Sequence, residues 1–242
     1  MNKEELQKMY EQEQDNWWYA GKRWLVFCLL NKFNLLKKRK QIILNIGCGT
    51  GQLMTYLNLY GETYGIDASA AAVDYCKTRG LYNIRSGDAE NLPYQDESFD
   101  LALALDIFEH LPDDQKALQE AWRVLRNGGH LLLTVPAYQF LWSGHDEALG
   151  HVRRYNKMEV GLKVRDAGFI IKKLSYTNFF IFPLVYILRK LKKGEGSDNP
   201  EVPGVLNSLF KSLYLLESKL LNWFDLPLGV SLICLAQKDN RA

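Results

Sequence analysis

The chain has 242 residues and a formal net charge of +2, with 47% hydrophobic and 24% charged residues. This length suits one large domain with an elaboration, and the composition excludes collagen-like, low-complexity and wholly disordered proteins. A charge balance this close to zero disfavours nucleic-acid binding, which needs a strong basic excess, so we expect no nucleic-acid partner. The aromatic share of 12%, with six Trp, is the unusual quantity.

The cysteines, the N-terminus and the apolar runs bear on the compartment. The four cysteines form no CxxC pair, which disfavours a zinc cluster and a disulfide framework. The polar, acidic N-terminal segment does not resemble a secretory signal. The longest strongly apolar run, residues 179–188, has about half of the ~20 residues that span a bilayer. We expect a cytoplasmic protein, with peripheral contact at the inner face of the membrane as an open alternative.

Residues 1–40 are predicted to form N-terminal helices with a break near Asn16. Apolar residues recur at helical spacing on both sides of that break, around Leu6 before it and around Leu25 after it. The basic run at residues 37–40 is expected to close this segment as a solvated turn.

Residues 41–175 alternate strands with helices of about ten residues, which is typical of βαβ units and a mostly parallel sheet. The predicted strands are residues 42–46, 63–66, 83–86, 101–105, 130–135 and 169–175. The predicted helices are residues 53–60, 69–79, 115–126 and 156–167, with Gly128-Gly129 ending the third. Residues 229–242 contain a last strand at 230–237.

Residues 176–228 are predicted to be a helical insertion. Two apolar helical stretches, 179–191 and 205–224, flank a polar segment at 192–199 that we expect to be a mobile loop. The first stretch is followed by a basic group made of Arg189, Lys190, Lys192 and Lys193. This pattern is compatible with membrane contact through residues 179–224, a substrate cap, a homodimer interface or a plain helical cover of the sheet.

The most specific motif is LNIGCGTG at residues 44–51, between a strand and a helix. Glycines there let a backbone approach a ligand closely, and the helix N-terminus offers free N–H groups. A dinucleotide fingerprint requires G-x-G-x-x-G. Here the third glycine, Gly51, comes one position early and Gln52 takes its place. This spacing disfavours an NAD- or FAD-dependent oxidoreductase.

Three acidic residues follow the ends of predicted strands: Asp67, Asp88 and Asp106. The carboxyl ends of parallel strands meet at one edge of an open α/β sheet, where such folds bind ligands. A carboxylate at the position of Asp67 can accept hydrogen bonds from both hydroxyls of a ribose. The sequence therefore predicts a nucleotide-like ligand at this edge.

Five motifs in register resemble class I S-adenosylmethionine-dependent methyltransferases, of the methyltransferase type 11 branch that includes ubiquinone-pathway O-methyltransferases. They are LNIGCGTG, YGIDAS, GDAENLP, FDLALALDIFEHL and RVLRNGGHLLLTVP, all within residues 42–136. The resemblance implies an α/β fold with a doubly wound, Rossmann-like seven-stranded sheet whose last strand is antiparallel. It also implies S-adenosyl-L-methionine as the cofactor and S-adenosyl-L-homocysteine as the product.

The resemblance also implies roles for individual residues. The glycines cradle the methionine portion, Asp67 binds the ribose, and Asp88 with Ala89 reads the adenine. Asn45 stands where the family usually has an acidic residue. The N-terminal helices act as a lid, with Trp18 as an aromatic wall and Arg23 as a carboxylate partner. The expected cofactor-binding residues are Trp18, Arg23, Asn45, Gly47, Cys48, Gly49, Gly51, Asp67, Ala68, Asp88, Ala89, Leu105 and Asp106.

A second cluster of polar and aromatic residues follows the fifth strand. His145 in this cluster, and His110 before it, are candidate catalytic bases, because a neutral His can take a proton from a hydroxyl as a methyl group arrives. The predicted acceptor-binding residues are Trp142, His151, Arg154 and Tyr155. No metal-ligand spacing is evident, so we expect metal-independent, in-line transfer.

A Gly-His-x-Arg-Arg-Tyr run at residues 150–155 resembles a subgroup associated with cell-surface glycan or lipid pathways. We therefore expect a methyltransferase that acts on a small or a lipid- or glycan-linked acceptor. The alternative is a catalytically silent protein of this fold that serves as a peripheral membrane or partner-binding module. Five of the six Trp lie outside residues 41–136, which suggests aromatic walls around the acceptor.

Overall fold

The computed structural model describes residues 3–36, 41–191 and 202–239. The predicted turn at 37–40, the predicted loop at 192–199 and the side chains of Lys192 and Lys193 lie outside the described residues. The strands are β1 (Gln41–Ile46), β2 (Gly61–Asp67), β3 (Ile84–Ser86), β4 (Phe99–Leu105), β5 (Leu125–Pro136), β6 (Phe169–Thr177) and β7 (Ser231–Lys238). The helices are α1 (Lys3–Gln12), α2 (Trp17–Lys32), α3 (Gln52–Leu57), α4 (Ala70–Thr78), α5 (Asp114–Val124), α6 (Gly144–Leu149), α7 (Lys157–Asp166), α8 (Phe182–Leu191) and α9 (Gly204–Leu220).

The described strands form one sheet of seven in the order β3-β2-β1-β4-β5-β7-β6. The first five strands pair in parallel, and β7 runs antiparallel between β5 and β6. The central strands are continuous apolar runs because helices cover both faces of the sheet, and β4 is buried from Leu101 to Ala104. The predicted doubly wound, Rossmann-like sheet with an antiparallel last strand is confirmed.

Several helix boundaries lie where side-chain caps predict them. Asn16 caps α2 by accepting a hydrogen bond from the N–H of Trp18 at 2.9 Å. Asn156 caps α7 in the same way, from the N–H of Glu159 at 2.9 Å. Such caps satisfy N–H groups that have no partner within the helix. The predicted break near Asn16 and the predicted start of α7 are confirmed.

The predicted end of the helix before β5 is wrong. The helix α5 stops at Val124, and Gly128-Gly129 lie inside β5 instead of ending the helix. The reason is the neighbouring strand: the N–H of Ser98 donates to the carbonyl of Val124 at 2.8 Å, and Leu125 pairs with Phe99. This pairing extends β5 backward by several residues.

The N-terminal helices and the insertion pack against each other beside the sheet. Asn207 of α9 accepts a hydrogen bond from the N–H of Trp17 at 2.8 Å and donates to the carbonyl of Asp15 at 3.0 Å. The ring of Tyr214 lies against Gly21, where an added Cβ would be 2.2 Å from that ring. The two segments therefore form one helical layer. No helix in the described ranges is long and apolar enough to cross a bilayer.

A buried carboxylate connects this layer to β6. Glu217 of α9 accepts hydrogen bonds from the N–H groups of Asn178 and Phe179, the latter at 2.7 Å. Asn178 has a positive φ of 63°, so the chain reverses sharply between β6 and α8. Burial raises the pKa of Glu217 to about 7, although these N–H groups oppose the shift.

We expect Glu217→Ala to lower the free energy of unfolding by about 1–3 kcal/mol, because it leaves buried N–H groups without an acceptor. Urea unfolding followed by circular dichroism measures the change. Lys219→Ala, which removes an exposed side chain from the same helix, is the control and should be nearly neutral. Equal stability of both variants would show that Glu217 does not hold the turn.

Candidate functional site

A cavity of about 590 Å³ lies at the carboxyl edge of the sheet. Its size is within the usual range of small-molecule sites, about 300–1,000 Å³. The lid, defined as the N-terminal helices α1 and α2, forms one wall. The glycine loop, residues 47–51, and the ends of β2 and β4 form the floor. The acceptor loop, residues 142–155, and α8 form the remaining side. The cavity thus joins all the segments in which sequence motifs were found.

The glycine loop is built from left-handed turns. Gly47, Gly49 and Gly51 have φ values of 70°, 53° and 83°, which glycine adopts without steric strain. The Asp67 carboxylate fixes the loop, since Oδ2 accepts from the N–H of Gly49 and Oδ1 from the N–H of Ser69, both at 2.9 Å. Asp67 therefore positions two turns at once while it also lines the cavity.

All the predicted cofactor-binding residues except Gly51 line the cavity. Gly51 faces the protein interior, where an added Cβ would lie 2.6 Å from Leu81 and 2.8 Å from Cys76. It caps α3 and is placed to support the turn instead of touching a ligand. The Asp88 carboxylate accepts from the N–H of Glu90 at 2.8 Å, which fixes the turn after β3.

Asp106 sits at the end of β4 with a positive φ of 52°. The Thr134 hydroxyl donates to its Oδ1 at 2.7 Å, and its Oδ2 forms an ion pair with Lys22 of the lid. The Lys22 ammonium lies 4.6 Å from the centre of the Trp18 ring. Burial lowers the pKa of Lys22 to about 8, and the charge of Glu109 opposes that shift. Sequence reasoning missed Lys22. Its spacing of four residues from Trp18 would have placed both side chains on the same face of a helix.

A buried polar network ties the lid to the glycine loop. Glu13, at the end of α1, accepts a hydrogen bond from the Thr50 hydroxyl and forms an ion pair with Arg79. Burial raises the pKa of Glu13, although Thr50 and Arg79 oppose the shift. Arg23 lines the cavity, and its guanidinium donates to the carbonyls of Glu13 and Gln14. The structure thus gives Arg23 a role within the lid turn.

Asp146 is the fully buried centre of the acceptor loop. Its carboxylate accepts from His151 Nδ1 at 2.8 Å and from Arg154 Nε at 2.7 Å, and Arg189 of α8 lies 3.5 Å away. Burial alone would raise the pKa of Asp146, but the bond from His151 and the charge of Arg154 hold it well below its usual range. Arg189 therefore points into the site and does not belong to an exposed basic group.

The predicted acceptor residues divide into two groups. His145, His151 and Arg154 line the cavity. Tyr155 does not: it is buried, and its hydroxyl donates to Asp114 at 2.8 Å. Trp142 is also placed away from the cavity, with its ring N–H donating to Glu147 at 3.2 Å. These positions do not fit the predicted acceptor contacts of Tyr155 and Trp142.

His110 also lines the cavity, and its ring lies 4.7 Å from the ring of His151, edge to face. Its Nδ1 lies 3.3 Å from the carbonyl oxygen of Gly150. Burial, and after it the proximity of His151, lowers the pKa of His110 to about 4. The ring is therefore neutral near pH 7 and is a weak base.

The comparisons with known proteins agree with this geometry. The family described as "Methyltransferase domain" matches residues 44–133. Over 145 residues the chain is 36% identical to phthiotriol/phenolphthiotriol dimycocerosates methyltransferase 1 of Mycobacterium ulcerans, covering 56% of this chain and 52% of that protein. Over 146 residues it is 28% identical to the ubiquinone biosynthesis O-methyltransferase of Coxiella burnetii, covering 55% of this chain and 62% of that protein.

A solved structure shares the fold over nearly the whole chain. It is an S-adenosylmethionine-dependent methyltransferase from Thermotoga maritima, with a TM-score of 0.62, 22% identity and coverage of 98% of this chain and 96% of that one. The chain spans less than two thirds of the length of the curated relatives described above. Residues 44–133 are therefore a methyltransferase domain within a class I fold, and the predicted resemblance is confirmed.

We expect Asp146→Ala to destabilise the protein by about 3–5 kcal/mol, since it removes the partner of a buried Arg154. The exposed neighbour Glu147 provides the control: Glu147→Ala should change the free energy of unfolding by less than about 0.5 kcal/mol, as is usual for exposed sites. Urea unfolding measures both. If Asp146→Ala were as stable as the control, the buried charge cluster would have no structural role.

Proposed function

We propose that the protein transfers a methyl group from S-adenosyl-L-methionine to an apolar, lipid-like acceptor. One observation carries the proposal: a single cavity combines carboxylates at the strand ends with an apolar wall from α8. The comparisons give no support to the alternative of a catalytically silent module. The relatives' names describe a methyltransferase of phthiotriol and phenolphthiotriol dimycocerosates and an O-methyltransferase of ubiquinone biosynthesis.

The hydrogen-bond acceptors of the cavity fit the cofactor. The Asp67 carboxylate can accept from ribose hydroxyls, and Asp88 can accept from the adenine amino group. Asp106 and Asn45 supply acceptors for the ammonium group of the methionine end. When bound, the cofactor supplies an electrophilic methyl carbon. The residues of this chain then orient the acceptor and exclude water, which is most of what an in-line transfer needs.

Apolar side chains from α8 and its N-terminal flank support an apolar acceptor. Ile181, Val185 and Leu188 line the cavity opposite the glycine loop. Trp17, Trp18 and Tyr19 of the lid line it from the other side, which agrees with the aromatic walls expected from the sequence. We assign His145 as the base for the acceptor hydroxyl, in preference to His110, whose pKa near 4 makes it weak.

We also propose that α8 contacts a lipid surface from which the acceptor enters. The helix presents exposed Leu184 and Ile187 on the outside while Val185 lines the cavity. Exposed Lys190 follows on the same helix, and basic and apolar side chains together are typical of interfacial helices. An acceptor chain could then pass from the lipid to the cavity along one helix.

We expect Asp67→Ala to weaken the binding of S-adenosyl-L-homocysteine by about 1.5–3 kcal/mol, the scale for losing a hydrogen bond to a charged group. Isothermal titration calorimetry measures the affinity. Asp74→Ala, which removes an exposed carboxylate paired with Lys77 on α4, should bind as the wild type does. Thermal unfolding of Asp67→Asn and Asp67→Ala shows whether either variant loses stability. A variant that binds weakly but unfolds as the wild type does has lost the ligand contact and not the structure of the glycine loop. Unchanged affinity in both variants would show the ribose assignment to be wrong.

We expect the double variant Leu184→Glu, Ile187→Glu to reduce binding to anionic phosphatidylglycerol liposomes at least about tenfold, because burying one such side chain contributes about 1.5–3 kcal/mol. Co-sedimentation measures the bound fraction. The matched control changes two exposed apolar residues of α7, Met158→Glu and Leu162→Glu, and should bind as the wild type does. No binding by the wild type, or equal binding by all three proteins, would contradict contact through α8.

A further inference from the structure

Three metal-ligating side chains meet on the cavity wall: Glu109, His110 and His151. One potential ligand atom from each lies within 4.8 Å of the other two, in the part of the chain that is described. Glu109 and His110 belong to a 3-10 turn after β4, whereas His151 comes from the acceptor loop. The N–H of Val152 donates to the carbonyl of Glu109 at 2.8 Å, and this bond holds the two segments together.

Both imidazoles are oriented through Nδ1. The Nδ1 of His151 lies 2.8 Å from a carboxylate oxygen of Asp146, and that of His110 lies 3.3 Å from the carbonyl oxygen of Gly150. These partners can only accept, so each Nδ1 carries a proton, and Nε2 is the nitrogen left to bind a metal ion. Histidines that bind metals are oriented in this way by a carboxylate or a backbone carbonyl at the other nitrogen.

The carboxylate of Glu109 needs a partner. The side chain is 1% exposed, and its Oε2 has no hydrogen-bond partner within the described ranges. A buried acceptor without a partner is destabilising. The positive charges of Lys22 and Arg154 act on Glu109, but the Lys22 ammonium forms an ion pair with Asp106 and the Arg154 guanidinium one with Asp146. A cation between Glu109 and the two histidines would satisfy the orphaned oxygen directly.

We propose that Glu109, His110 and His151 bind a divalent transition-metal ion such as Zn²⁺ or Mn²⁺. Two imidazoles and one carboxylate are borderline ligands that suit these ions, and three protein ligands leave positions open for water or substrate. The inference departs from the metal-free transfer expected from the sequence. Its catalytic role, though not the site itself, rests on the proposed methyl transfer.

The site would activate an acceptor hydroxyl. A hydroxyl bound to such an ion would lose its proton more readily than in water, and His145, which also lines the cavity, would take that proton. The oxygen then forms a bond to the methyl carbon while the carbon–sulfur bond breaks and its electron pair returns to sulfur. The products are the methyl ether and S-adenosyl-L-homocysteine, and the proton of the hydroxyl resides on His145.

Metal binding is tested on the full chain after chelator treatment, without any cofactor. We expect Zn²⁺ or Mn²⁺ to bind with a stoichiometry of one in isothermal titration calorimetry, checked by competition with a chromophoric chelator. Glu109→Gln and His110→Ala should each weaken binding at least about tenfold, as loss of a ligand or its support usually does. His130→Ala, in β5 and away from the cavity, is the matched control and should bind as the wild type does.

Two results would overturn the site: no stoichiometric binding by the wild type, or equal affinity in Glu109→Gln, His110→Ala and His130→Ala. Either would mean that the charges of the protein itself, those of Lys22 and Arg154, compensate Glu109. Glu109→Gln keeps the shape of the side chain, so a folding defect in another variant does not remove the test. A protein that binds S-adenosyl-L-homocysteine but no metal contradicts only this inference, whereas one that binds metal but not S-adenosyl-L-homocysteine contradicts only the proposed function.

Discussion

The site depends on the compensation of carboxylates that lie around the cavity at the carboxyl edge of the sheet. Taking a charge out of water is strongly unfavourable unless an opposite charge or several hydrogen bonds replace the water. Glu13 is matched by Arg79, and Asp106 by Lys22. Asp146 is matched by Arg154 and His151. The pairs of Glu13 and Asp106 join different segments of the chain, and Arg189 of α8 reaches Asp146 from outside the acceptor loop. The same charges that prepare the cavity therefore also assemble its walls.

This arrangement divides the lid into two parts with different anchors. The second half of α2 is held by apolar burial, since Leu25, Val26, Leu29 and Leu30 are all in the core. The first half and α1 meet the cavity through polar contacts, through Glu13 to the glycine loop and through Lys22 to Asp106. A charged ligand can compete for ion pairs and hydrogen bonds, whereas it cannot replace apolar core packing. The part of the lid nearest the ligand is thus the part whose contacts a charged ligand can rearrange.

Sequence reasoning could locate the sheet edge because strand ends and glycine turns are local features. Asp67, Asp88 and Asp106 all lie at that edge, and their positions follow from strand spacing alone. Pairings between separate elements were not visible in this way. Lys22 was missed because its partner comes from another element of the fold, and so was the contact of Asp146 with Arg189 of α8. The end of α5 was misplaced for the same reason, since pairing with β4 outweighed the local glycine signal.

The aromatic residues show where composition helps and where it misleads. Trp17 and Trp18 do line the cavity, as their enrichment outside the cofactor motifs suggested. Trp24 and Trp223 are exposed instead, and the ring N–H of Trp142 donates a hydrogen bond to Glu147. Composition records how many large rings a segment carries, whereas the helical phase decides which of them turn inward. In α2 the step from Trp18 to Lys22 is about one turn, which puts the ring beside the ammonium that forms the ion pair with Asp106. Trp24 lies two residues further on and faces away.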